Sequence, residues 1–196
     1  MDHVLPHCTY PGSLAQSNIP RITVIACSCC NNSFSDDETH FRNIIPFCGL
    51  DPGPLIQELF ETGVLHSLDE VDGERRRVDL LKIIRPGSDG RMRVWPEEDE
   101  RFMRILRKIV RGLCRHHNLD WPVSEARVHV EKLIYPVPPG YLDPLPGGRT
   151  DGDMFRWGYI QPSEDGPDKL TWILVIRSNM EFIARVAPPT TDAVAG

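Results

Sequence analysis

The stretch YPVPPGYLDPLPGGRTDGD, residues 135–153, divides the chain. Proline removes a backbone donor and glycine weakens any regular element, so this run is a linker or a long ordered loop. Apolar residues before it recur at helical spacing, whereas after it they alternate or run continuously in short segments. That change of period predicts an α+β chain with a helical middle and a β-rich C-terminal part.

In the C-terminal part, MFRWGYI, KLTWILVIR and MEFIARV read as three strands, the last two joined at Ser178-Asn179. In the middle, a helix is expected from Pro54, with Leu55, Leu59 and Phe60 turned inward. Glu74 to Ile84 fits helix or strand, Gly87 to Gly90 is a turn, and RMRVW is a short strand. The longest helix runs from Pro96 to near Asn118. Its apolar members Phe102, Ile105, Leu106, Ile109, Val110 and Leu113 form one stripe opposite an arginine-rich side.

At the front, RITVIAC is a strand running into the cysteine cluster CSCC, and CNNS is a turn. In SDDETHFRNIIPF, Ser35 and Glu38 have capping-box spacing, and Asp36 and Asp37 fall in the first helical turn. Phe41, Ile44 and Ile45 share one face. The acids suit either the helix dipole or a cation. The clustered cysteines suit metal or redox chemistry, or burial as small hydrophobes.

Composition narrows the function classes. With 40% hydrophobic and 26% charged residues, the 196-residue chain is globular and buries on the order of 70% of its unfolded surface. A net charge of −6 excludes a wholly basic nucleic-acid binder and leaves only local basic patches. No run approaches the roughly 20 apolar residues of a membrane helix, and no signal peptide precedes the first motif, so a cytoplasmic protein without a membrane partner is expected.

Asp2-His3-Val4 with Pro6, followed by ITVIACSCCNNSFSDDE, resembles the ββα-metal fold of HNH endonucleases, in particular a bacterial type with a DHVPP loop and a C-x-x-C-N-N segment. The likeness covers roughly the first 45 residues. It implies hydrolysis of nucleic-acid phosphodiester bonds with Mg²⁺ or Mn²⁺, on DNA or alternatively RNA. His3 would be the general base, because imidazole titrates near neutral pH. Asp2 would hold the cation with Asp37 or Asp36, or with His40 one turn on. Asn31 or Asn32, or else Asn18, would orient the imidazole.

The family also implies a structural zinc between two C-x-x-C pairs. Cys27 and Cys30 are the second pair, the first being expected upstream of Met1; Cys8 and Cys29 lack the expected spacing. Arg104, Arg107, Lys108 and Arg111 are the candidates for gripping phosphates, or else a solvated helix face. His116 and His117 suit the negative end of a helix, and Trp157, Tyr159 and Trp172 suit a sheet core or a base-stacking platform.

The expected organisation is therefore an HNH-like ββα-metal module over residues 1–48, a mainly helical region over 49–134, a loop over 135–153, a β-rich segment over 154–187 and a disordered tail over 188–196. An alternative function is a catalytically inactive HNH-derived scaffold that binds a protein partner.

Overall fold

The computed structural model describes residues 2–15, 21–27, 32–48, 53–119, 122–150, 154–164, 166–177 and 180–189. It is a mixed α+β structure that divides into two compact units, Met1–Ile105 and Leu106–Gly196.

In the first unit a two-residue strand β1 (Asp2–His3) pairs antiparallel with β2 (Thr23–Val24), placing Asp2 opposite Val24 and His3 opposite Thr23. The pairing extends one residue further, where the Val4 N–H donates to the Ile22 carbonyl at 2.9 Å. A 3-10 turn at His7–Thr9 follows, closed by the Thr9 hydroxyl donating to the Pro6 carbonyl.

Helix α1 (Ser35–Ile44) carries Asp36, Asp37 and Glu38 in its first turn and Arg42 in its last, matching the helix dipole at both ends. The expected capping box is not formed. Phe34, not Ser35, is the N-cap residue, with no side-chain cap hydrogen bond. Phe34 is buried and carries the Arg104 guanidinium over its ring at 4.4 Å, an anchor for the start of α1 that owes nothing to a hydroxyl. The inner side of α1, Phe41, Ile44 and Ile45, is buried, and Phe41 stacks on Phe102 at 4.3 Å.

Helix α2 (Gly53–Glu58) widens into a π-type segment at Leu59–Val64 and continues as α3 (Leu65–Asp69). Leu59 is buried, while Leu55 and Phe60 are half-buried. The stretch that fitted either period is helix α4 (Gly73–Ile83). It leads into a hairpin of β3 (Arg85–Pro86) and β4 (Met92–Arg93), whose turn uses Gly90 at φ +76°, a conformation costly for other residues.

Helix α5 (Glu100–His116) is capped by Asp99, whose Oδ1 accepts the Phe102 N–H at 2.8 Å. Phe102 and Ile105 are buried in the first unit. Leu106, Ile109, Val110 and Leu113 continue the apolar stripe in the second.

The second unit is built on a five-stranded antiparallel sheet in the order β5-β9-β8-β7-β6, from β5 (Val128–Lys132), β6 (Gly147–Arg149), β7 (Phe155–Ile160), β8 (Leu170–Ile176) and β9 (Met180–Val186). Two of these strands depart from the sequence reading. Residues 128–132, expected within the helical region, pair with β9, and residues 147–149, expected within the loop, pair with β7.

Both faces of β8 are covered. On one face Trp172 and Leu174 lie opposite Tyr159 and Trp157 on one side and Ala184 and Phe182 on the other. On the other face Ile173 and Val175 pack with Leu133, which follows β5, and with Val137, Leu142 and Leu145 from the Pro/Gly-rich segment, which is thus an ordered loop over its described length. Gly158 permits that approach, because a Cβ there would stand 3.1–3.2 Å from Leu145 and Leu142.

Candidate functional site

Asp2 and His3 are half-buried on β1, in a pair of strands that precedes α1 in the chain. The turn after β1 packs on α1, where the Cys8 thiol donates to the Glu38 carbonyl at 3.4 Å. The His3 ring lies 5.3 Å from the His7 ring. Desolvation and then the Arg21 charge hold His7 below its ordinary pKa. Arg21 in turn lies over the Tyr10 ring at 4.9 Å and donates to the Leu14 carbonyl. Sequence reasoning missed His7 and Arg21; the recurrence of histidine four residues after His3 was the available signal.

The acids of α1 are engaged elsewhere. Asp37, with a side chain 13% exposed, accepts from Arg101 Nε at 2.8 Å and from Arg104 Nη1 at 2.6 Å, one guanidinium on each oxygen. Asp36 is exposed and lies 3.4 Å from Arg75. His40 Nε2 donates to Asp99 Oδ2 at 2.9 Å. Burial of Asp99 works against its charge. The His40 hydrogen bond, the Phe102 amide and the charges of His40 and Arg101 outweigh that and keep its carboxyl below the ordinary range.

These contacts decide which residues suit a cation. Two guanidinium groups on Asp37 oppose a second positive charge there, and the His40 nitrogen facing Asp99 is a donor, not a ligand. Asp2, next to His3 in the sequence, carries a carboxylate, the kind of hard oxygen ligand that Mg²⁺ and Mn²⁺ take. Among the described residues no three His, Cys, Asp or Glu side chains converge as a metal-binding group. Asn32 and Cys27 are exposed, while Asn18, Cys29, Cys30 and Asn31 lie outside the described residues.

The side of α5 expected to grip phosphates makes contacts within each unit. Arg104 holds Asp37 and Phe34 in the first unit. In the second, Arg107 Nε donates to Glu125 at 3.2 Å and Arg111 Nε to the Val123 carbonyl at 2.8 Å, because residues 122–127 fold along the helix. Lys108 is buried. Arg104, Arg107 and Arg111 therefore each tie α5 to a neighbouring segment.

Trp157, Tyr159 and Trp172 are buried, so they are sheet core and not an open stacking platform. The Trp157 Nε1–H donates to His117 Nε2 at 3.1 Å, which fixes His117 as the Nδ1–H tautomer. Burial and then the His116 charge hold its pKa below the ordinary histidine value. Among the described residues no helix is long and apolar enough to cross a membrane. No family model, no curated protein and no solved structure matches the chain.

Proposed function

We propose that the chain is a metal-dependent endonuclease of the HNH type, cutting phosphodiester bonds of DNA, or alternatively RNA, in the bacterial cytoplasm. The observation that carries this reading is the placement of Asp2-His3 on the first of two paired strands that precede the acidic helix α1. In this reading residues 1–48 form the ββα-metal module, with a structural zinc drawing on Cys27 and Cys30, and the β-rich segment 154–187 has no separate activity assigned.

His3, as neutral imidazole, takes the proton from the attacking water. Asp2 would hold a divalent cation together with water molecules, and such an ion would supply charge neutralisation at the phosphate. Asn31 or Asn32 orients the His3 ring. Asp37 and His40 are assigned to folding, because their partners are arginines and a carboxylate.

Purified chain incubated with supercoiled plasmid and Mn²⁺ or Mg²⁺ is expected to produce nicked circles, and Asp2→Ala is expected to remove the metal dependence with the activity. Unnicked plasmid under all metal conditions contradicts the reading.

The ion pairs at Asp37 and His40 favour a second reading, a catalytically inactive HNH-derived scaffold that binds a protein partner. It predicts neither nicking nor DNA binding at low salt.

A further inference from the structure

Arg149 on β6 and Arg156 on β7 are direct cross-strand partners. Residues so placed project from the same face with Cβ atoms about 4.5–5.5 Å apart, and like charges there are destabilising. Among the described residues little offsets them. Arg149 makes no ion pair among the described residues, and Arg156 reaches Asp143 only at 3.5 Å, through a carboxylate that is itself exposed. Packing does not demand the pair either, since Arg149 is exposed and Arg156 half-buried.

Both arginines line a groove of about 370 Å³ with Leu142, Asp143, Leu145 and Trp157. Its volume is in the range of small-molecule sites. The Gly147-Gly148 backbone also lines it, with no side chains to fill it. The glycines answer to packing, because a Cβ on Gly147 would lie 2.1 Å from the Trp157 carbonyl and one on Gly148 would lie 2.6 Å from the Trp157 ring. The arginines have no such explanation.

We propose that this groove is a phosphate-binding site, with Arg149 and Arg156 as its paired guanidinium groups. Each guanidinium presents a planar fork of donors that matches two oxygens of a phosphate. Two forks in one groove from neighbouring strands offer more donors than a carboxylate's two oxygens can take, whereas a phosphate has oxygens for both. The site lies in the second unit and does not depend on the assignment of Asp2 and His3.

The test is calorimetric titration of the whole chain at low salt with inorganic phosphate, adenosine monophosphate and an eight-nucleotide oligothymidylate. Binding is expected to weaken with salt, and Arg149→Gln and Arg156→Gln are each expected to lower affinity about tenfold or more. Their thermal midpoints should be unchanged or raised, because a repulsion is removed. Tighter binding of the monophosphate assigns a terminal phosphate, and tighter binding of the oligonucleotide assigns a backbone phosphodiester; either supports the site.

Asp151 and Asp153, next along the chain, lie outside the described residues. Binding that appears only after both are changed to Asn would show the arginines to be internally satisfied and overturn the proposal. So would undiminished phosphate affinity in the Arg149→Gln, Arg156→Gln double variant, displacement of phosphate by an equal concentration of acetate, or no binding of any of the three probes at millimolar concentration.

Discussion

His40 and Asp99 form a hydrogen-bonded pair at 2.9 Å with side chains 8% and 10% exposed, joining α1 to the residue that caps α5. Removing one member leaves the other buried without its partner, which in such sites costs about 3–5 kcal/mol. His40→Ala should therefore lower the urea midpoint strongly without changing metal affinity. Because the Asp99 pKa is depressed on folding, its contribution is present above the unfolded value of 3.8 and is lost as pH falls through the lower folded value. A His40→Ala chain of native stability with weakened Mn²⁺ binding would return His40 to the ligand set.

Asp37 gives a second contrast. Asp37→Asn keeps the shape but weakens two charge-assisted hydrogen bonds, to Arg101 and Arg104, and should cost about 1.5–3 kcal/mol, most of it retained in 1 M salt because salt screens a carboxylate so little exposed only weakly. Chemical denaturation at two ionic strengths measures it. Unchanged stability with lost nuclease activity would restore Asp37 as a metal ligand.

The Trp157–His117 hydrogen bond makes the second unit sensitive to mild acid, because an imidazolium cannot accept from the indole N–H. The His117 pKa is depressed in the fold, so its contribution is fully present above the ordinary value of 6.5 and declines as pH falls from there toward the lower folded value. Thermal unfolding at pH 7.5 and 5.5 should show a loss in the wild type that shrinks in His117→Gln. An equal loss in both would place the sensitivity elsewhere.

The β6 strand depends on glycine. In Gly147→Ala the new Cβ would stand 2.1 Å from the Trp157 carbonyl, so strand or loop must move, at a cost of about 1–3 kcal/mol typical of overpacking. Faster amide exchange confined to residues 147–149 and their partners in β7 is the expected signature.

What the sequence made legible follows from periodicity. The α5 stripe and strands β7, β8 and β9 are long enough for their apolar pattern to declare itself. β5 is short and ends in Glu131 and Lys132, and β6 is two glycines and an arginine, so neither carries a readable alternation. The capping box misled because Ser35 and Glu38 have the right spacing, while the start of the helix is anchored by Phe34 under Arg104. Around the candidate site, Asp2-His3 stood out as a local motif. The engagement of Asp37 by Arg101 and Arg104, 64 and 67 residues away, is a tertiary contact that no local pattern encodes.

The most direct test of the nuclease reading is the initial rate of plasmid nicking in Mn²⁺ by the wild type and by His3→Ala, with thermal unfolding confirming that both are folded. If His3 is the general base, the variant loses roughly 10²–10⁴-fold in rate. Equal rates in two folded proteins would contradict the assignment of His3.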